Sequence, residues 1–135
     1  KPYFDVEGTQ TEKIIATGDV FDLYVFGEFS KDFPMSAAEF RVVLPEGVTV
    51  MSSAYSDSTI LQFGNPQNDF MMAFRCSYGP KLWLVKFECR TDENFKGGTI
   101  ETGEGLQQHF LGFTLCDVGR TLIRAKPGKA EIRLE

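Results

Sequence analysis

The stretch from Met72 to Phe87 constrains the fold of this chain more than any other part of its sequence. It consists of two apolar segments around Gly79-Pro80, with Cys76 near the end of the first segment. Proline fixes φ and lacks an amide donor, and glycine tolerates turn conformations, so this dipeptide favours a reversal of the chain. The sequence therefore predicts an antiparallel pair of strands here, within an all-β sandwich.

The second of these segments is predicted to be an interior strand. Even- and odd-numbered side chains from Leu82 to Phe87 would point to opposite faces, because side chains alternate along a strand. Lys86 is the only charge in this run. We therefore expect the strand to be buried on most of both faces.

Other short apolar runs recur between turn signals about every ten residues, the spacing expected of a β-sandwich or barrel. Helical periodicity is almost absent, and only Pro34 to Glu39 could form a single helical turn, with Ser36 as its cap. Gly103-Glu104-Gly105 is predicted to be a mobile loop within Gly97 to Gly105. Some apolar runs must be loops or continuations, so we expect eight or nine strands. The eleven candidates are Tyr3 to Glu7, Glu12 to Ala16, Val20 to Phe29, Glu39 to Leu44, Val48 to Ser53, Ile60 to Phe63, Phe70 to Cys76, Leu82 to Arg90, His109 to Cys116, Thr121 to Ala125 and Ala130 to Leu134.

The length of 135 residues suits one domain with a single core. Residues 1–17 are predicted to be an N-terminal extended arm or first strand, and residues 18–135 the sandwich. No run approaches the roughly 18 apolar residues that span a bilayer. The chain starts at Lys1 without a signal-peptide core, so we expect a processed or excerpted form.

Charge is unevenly distributed along the chain. Residues 1–70 carry 4 Lys and Arg against 11 Asp and Glu, whereas residues 71–135 carry 10 against 8. Complementary halves favour self-association. Nucleic-acid binding needs a clustered basic footprint, and the candidate residues more often line a solvated face of a strand pair, so no nucleic-acid partner is expected. Those candidates are Arg120, Arg124, Lys126, Lys129 and Arg133.

Catalytic motifs are missing from the sequence. His109 is the only histidine, and at the start of a strand it is interpreted as a surface residue, although a pair with Cys89 or Cys116 stays open. There is no G-x-S-x-G or H-E-x-x-H motif. We therefore expect no enzyme activity and no catalytic residue.

No metal or cofactor site is expected either. The three cysteines and one histidine lack the paired short spacings of zinc sites. Asp92-Glu93-Asn94, Asp57 and Asp69 offer oxygen ligands for calcium, but no D-x-D-x-D-G run accompanies them, so we interpret them as turn residues.

The first half of the sequence resembles a known module. A turn at Gly18-Asp19 precedes the strand Phe21 to Val25, and Ala38 to Val50 forms an apolar strand, a short turn and a second strand. This arrangement resembles the opening of cohesin-like extracellular β-sandwich modules. Cohesins bind calcium-loaded dockerin modules through one sheet face, but no motif for that face can be matched here.

The second half resembles a group of small secreted bacterial proteins of unassigned role. The resemblance is carried by Phe74-Arg75-Cys76, Gly79-Pro80, Trp83-Leu84, Phe113 to Gly119 and Ile132-Arg133-Leu134. It implies a jelly-roll or cohesin-like antiparallel sandwich, secretion, and a disulfide between Cys76 and Cys116, both of which lie where strands give way to turns. Cys89 departs from the pattern and would be free and buried.

Together these features predict a non-catalytic extracellular protein that acts through protein-protein contacts. The arm from Lys1 to Ala16 would either fold back on its own sheet or pair with the edge of a neighbouring subunit, giving oligomers or filaments by strand addition. The alternative is a carbohydrate-binding sandwich, because such modules display planar aromatic side chains. Its candidates are Tyr3, Tyr24, Tyr55, Tyr78 and Trp83.

Overall fold

The structure, a computed structural model, describes residues 1–135 and contains twelve strands and no helix. The all-β class is confirmed. The predicted count of eight or nine strands is wrong, because several strands of two to four residues complete the sheets. The strands are β1 Pro2–Tyr3, β2 Glu12–Ile15, β3 Val20–Glu28, β4 Met35–Val43, β5 Val48–Tyr55, β6 Thr59–Asn65, β7 Asp69–Ser77, β8 Lys81–Thr91, β9 Gly98–Gly103, β10 Gly112–Leu115, β11 Leu122–Arg124 and β12 Lys129–Leu134.

The strands form two layers. One layer is a four-stranded antiparallel sheet in the order β1-β3-β8-β5. The other is organised around β4, which pairs with β7 on one edge and with β10 and then β9 on the other. In this second layer, β6 pairs with the outer edge of β7, and β11 pairs with the outer edge of β10. Beyond β9 the layer continues with β12 and then β2. The β12–β2 pair is parallel, and all other pairs are antiparallel.

The hydrophobic core lies between the layers and follows the alternation of side chains along each strand. In β4 the buried positions are Met35, Ala38, Phe40 and Val42, and the intervening side chains are only half-buried. β7 contributes Phe70, Met72 and Phe74 in the same way. Burial of each large apolar side chain among them contributes about 1.5–3 kcal/mol, so the alternating buried residues of β4 and β7 help to hold the two layers together.

The prediction that the Met72 to Phe87 stretch forms a pair of strands is wrong. β7 pairs with β4 and β6, whereas β8 pairs with β3 and β5, so Gly79-Pro80 carries the chain from one layer to the other. Each strand already has a neighbour on both edges. Gly79 lies directly against Phe29, and a Cβ atom there would be 1.9 Å from the Phe29 carbonyl oxygen.

The expected burial of β8 on both faces is also wrong. Leu84 and Val85 are both buried because a register shift opposite Val25 and Phe26 places an extra residue in the strand. From Val85 onward the side chains alternate, and Glu88 and Arg90 are exposed. The outer side of this strand therefore faces solvent.

Two further local predictions are wrong. The single helical turn with a cap at Ser36 is instead the start of β4, whose amides and carbonyls pair with β7 and β10. Gly103, expected in a mobile loop with Glu104 and Gly105, instead ends β9, which lies between β4 and β12 and buries Ile100 and Thr102. Glu104 and Gly105 lie outside the strands, as expected. Only these two positions of β9 show the alternation of buried and exposed side chains that marks a strand. The surrounding glycines and polar residues hide this pattern in the sequence.

The N-terminal arm folds back on its own domain. β1 adds to the edge of the four-stranded sheet through β3, and β2 lies beside β12 in the other layer. Tyr3, Phe4 and Ile15 are buried. The division at residues 17 and 18 stays a prediction. No helix long and apolar enough to traverse a bilayer occurs in the structure.

Candidate functional site

The outward side of the layer built on β4 forms the most distinctive surface of the protein. Strand register places Leu61, Ala73, Ala37, Thr114 and Leu122 opposite one another across β6, β7, β4, β10 and β11. Directly opposed residues share a face. A second row follows the same strands, and the open face is defined by both rows: Leu61, Ala73, Ala37, Thr114, Leu122, Phe63, Met71, Glu39, Gly112 and Arg124.

Large apolar side chains lie at the margins of this open face. Phe63 is 56% exposed, Leu122 58%, Leu61 40% and Met71 37%. The centre is flat, because alanine, glycine and threonine occupy its positions apart from Glu39 on β4. Single exposed apolar residues are ordinary on protein surfaces, but a contiguous set marks an interaction site.

Few charges interrupt the open face. Glu39 is its one acidic residue, and partial burial raises the pKa of this carboxyl above its ordinary value. The Arg124 guanidinium lies 3.7 Å from a Glu104 carboxylate oxygen and 5.2 Å from the centre of the Phe110 ring. The open face is therefore shallow and mainly apolar, with one half-buried carboxyl at its centre and the Arg124–Glu104 pair at its margin.

A disulfide closes one end of the open face. Cys76 at the end of β7 and Cys116 just after β10 are joined in the structure, with their Cα atoms 6.0 Å apart. These strands flank the start of β4, where both Ser77 and Leu115 lie opposite Met35. The Cys116 amide also donates to the Pro34 carbonyl. The bridge therefore links the two neighbours of β4 beyond its first residue.

Comparisons with known proteins identify solved structures with a similar architecture. No protein-family model matches the sequence, and none of the curated proteins matches it. Among solved structures, the seventh ScaB type I cohesin from Pseudobacteroides cellulosolvens is similar, with a TM-score of 0.63 at 11% identity over 92% of this chain and 88% of that one. The fold is cohesin-like.

Two further similar structures have the same architecture. The type I complex of the OlpA cohesin with a dockerin from Clostridium thermocellum gives a TM-score of 0.60 at 9% identity, over 92% of this chain and 94% of that one. A cohesin module from a Clostridium perfringens family 33 glycoside hydrolase gives 0.58 at 12% identity, over 93% of both chains. Identities this low establish the fold alone.

The cohesin-like sandwich keeps its histidine away from any reactive sulfur. His109 is exposed, with φ of 53°, in the loop between β9 and β10. Cys116 is in the disulfide, and Cys89 is buried in the core, where burial raises the pKa of its thiol to about 12. Neither sulfur presents a thiolate to the imidazole.

The candidate calcium ligands close turns. The Asp69 carboxylate accepts hydrogen bonds from the Gln107 and Gln108 amides at 3.0–3.1 Å, and Asp92 Oδ1 accepts one from the Asn94 amide at 2.8 Å. Asp57 lies exposed between β5 and β6. No three His, Cys, Asp or Glu side chains converge as a set that could hold a metal ion.

The five candidate aromatic residues do not form one platform for a sugar. Tyr24 and Trp83 meet edge to face, 6.2 Å apart, on the outside of the four-stranded sheet. Tyr3 is buried and donates its hydroxyl to Glu28, and Tyr55 stacks on Phe70. Tyr78 is exposed after β7. Only the Tyr24–Trp83 pair is brought together.

The candidate basic residues are dispersed over β11, β12 and their flanking loops. Arg133 pairs with Glu12 and Glu131, and Arg124 pairs with Glu104. Arg120 lies before β11 in a left-handed conformation with φ of 48°. Carboxylates therefore interrupt the row of positive charges.

Sequence reasoning missed the open face. Its signal was present in Leu61-Gln62-Phe63 and Met71, where large apolar residues occupy alternate positions. Such alternation normally marks the buried side of a strand, and only the pairing with Phe70, Met72 and Phe74 reveals which side is buried.

Proposed function

We propose that this protein is an extracellular, non-catalytic interaction module that binds a partner protein through the open face. The observation that carries this proposal is the set of apolar side chains Leu61, Phe63, Met71 and Leu122, exposed around a flat centre on five strands of the larger sheet. Aromatic residues and methionine are enriched at protein interfaces, and charged residues are depleted from interface cores.

Two observations support the partner class and the compartment. Several structures of similar fold are cohesin–dockerin complexes, including those of OlpA and OlpC from Clostridium thermocellum. A partner of the dockerin kind is therefore the first to test. The disulfide between Cys76 and Cys116 suits an oxidising, extracellular environment.

The face can be tested with matched methionine variants. Met71 belongs to the open face, whereas Met51 is 52% exposed on β5 of the other layer. A panel of purified, calcium-loaded dockerin modules would be titrated calorimetrically against the unmodified protein, Met71→Asp and Met51→Asp. We expect a dockerin partner whose affinity falls at least tenfold with Met71→Asp and stays unchanged with Met51→Asp. Equal loss in both variants, or no binding across the panel, would contradict the proposal.

A second candidate function is self-assembly through the edge of β6. This strand pairs only with β7, so its other edge is free, and every residue after Thr59 is exposed, including Ile60 and Phe63. A long, apolar edge strand is a template for pairing with another chain. The arm lies in cis, so the edge of β6 would pair with its counterpart in a second copy rather than with an exchanged arm.

Light scattering over a wide concentration range tests this assembly. We expect dimers or larger species that disappear when Ile60→Lys places a charge at the edge of β6. Persistent monomers at millimolar concentration would exclude it, and unchanged assembly in Ile60→Lys would show that another surface is used.

A further inference from the structure

A second feature, separate from the open face, is a cavity between the two layers. Its volume is about 630 Å³, and most of its lining side chains are apolar. Phe29, Leu111, Phe113 and Ala125 are among them. Small-molecule sites in proteins have volumes of roughly 300–1,000 Å³ and mainly apolar walls.

The cavity is open to solvent beside β11. Ile123 lies opposite Phe113 in the register, and Phe113 is buried, so Ile123 is on the inner side of its sheet. Its side chain is nevertheless 39% exposed, and Phe33, which also lines the cavity, is 59% exposed. Apolar side chains on the inner side thus remain in contact with solvent at the mouth, although close packing is normal in protein interiors.

One free positive charge lies at the mouth. Lys126 lines the cavity and is exposed, whereas Arg124 and Glu39, which also border it, direct their side chains to the open face. Glu28 accepts the hydrogen bond of the Tyr3 hydroxyl, and no carboxylate lies within 4 Å of the Lys126 ammonium. Lys126 is therefore available to pair with an anion.

We propose that this cavity binds an amphiphile with a long apolar chain and an anionic head, the chain lying between the layers and the head meeting Lys126. At the ~30 Å³ that a water molecule occupies in the liquid, the volume accommodates about 20 non-hydrogen atoms. A single acyl chain of 12 to 16 carbons with its head group matches that capacity. A free fatty acid and the phosphate ester of a fatty alcohol share this chemistry.

The test is calorimetric titration of the full chain with palmitate, with hexadecyl phosphate and with neutral hexadecanol. We expect saturable 1:1 binding of at least one anionic probe, at least tenfold tighter than hexadecanol. Palmitate alone would identify a carboxylate head, hexadecyl phosphate alone a phosphate head, and both would identify an anion of either kind. Binding of none of the three, or of hexadecanol as tightly as the anions, would overturn the proposal.

Matched variants locate the site. Lys126→Glu should weaken binding of the anionic probe at least tenfold, whereas Lys129→Glu, an exposed lysine three residues away that does not line the cavity, should leave it unchanged. Ile123→Trp fills the mouth and should abolish binding, with circular dichroism verifying the fold. Met71→Asp should not alter it, which separates this site from the open face. Equal effects of both lysine variants would overturn the assignment of the head group.

Discussion

At the scale of single residues, the glycine before Pro80 illustrates how closely the chain packs where it enters the four-stranded layer. Gly79 lies against the backbone of Phe29, and the Phe29 amide donates to the Pro80 carbonyl. There is no room for a Cβ atom at this crossing. The side chain of any other residue would therefore push the segment after β3 away from the segment before β8.

Replacement of Gly79 by alanine should lower the free energy of unfolding by more than about 2 kcal/mol, because backbone atoms cannot move aside as a flexible side chain can. Gly103 is the matched control, since nothing lies within 4 Å of a Cβ atom built there. We expect Gly103→Ala to change stability by less than about 0.5 kcal/mol. Urea unfolding monitored by circular dichroism measures both, and equal stability of the two variants would contradict the packing argument.

Cys89 makes a residue-scale prediction about pH. Burial raises the pKa of its thiol to about 12, with smaller contributions from Asp22 and Glu88. The unfolded chain ionises this thiol near its ordinary pKa of 9.0, so the contribution to stability is complete below pH 9 and is lost as pH rises toward 12. Between pH 8 and 10 the free energy of unfolding should fall less steeply in Cys89→Ala than in the unmodified protein. Parallel slopes would show that the thiol is not shielded.

At the scale of elements, the disulfide holds β7 and β10 on either side of β4. It closes a loop with a sequence separation of 40 residues, for which the chain-entropy description gives about 4 kcal/mol of stabilisation. The double variant Cys76→Ala, Cys116→Ala should lose roughly 3 to 4 kcal/mol of its free energy of unfolding, measured in urea.

Alkylation of the unmodified protein after denaturation without reductant should label one thiol. Three labelled thiols, or a mapped bridge that includes Cys89, would refute the pairing.

Local signals predicted individual strands better than they predicted their partners. β3 was expected almost at its observed limits, because Phe21, Leu23 and Val25 alternate with polar residues. β7 and β8 were also located, but their pairing was mistaken, since Gly79-Pro80 looks the same whether the chain reverses within a sheet or crosses to another. That choice depends on contacts with β3 and β4, which are distant in sequence.

The open face lay beyond sequence reasoning for a related reason. Phe63 and Phe70 are equally apolar and lie close together in the chain, yet one is exposed and the other is buried. The difference follows from which side of the sheet meets the opposite layer. A one-residue change of register would exchange the two sides, and the sequence alone does not establish the register.

At the scale of the whole molecule, the N-terminal arm contributes to both layers and to the core. Phe4 packs against Phe21 with 6.1 Å between ring centres, whereas Val6 is 53% exposed. Phe4→Ala should cost about 3–5 kcal/mol of stability, and Val6→Ala less than about 0.5 kcal/mol.

Deletion of residues 1–16 should therefore unfold the protein, as measured by circular dichroism. A stable truncated monomer would show instead that the arm is free to exchange between subunits.

The disulfide also determines how the protein responds to mechanical force. A pull on the two chain ends can straighten only the polypeptide outside the closed loop. Each extended residue spans roughly 3.3–3.6 Å, so a bridge between residues 40 positions apart withholds about 140 Å of contour length. Since β8, β9 and β10 lie inside that loop, a tether made from this module releases this part of its length only after reduction.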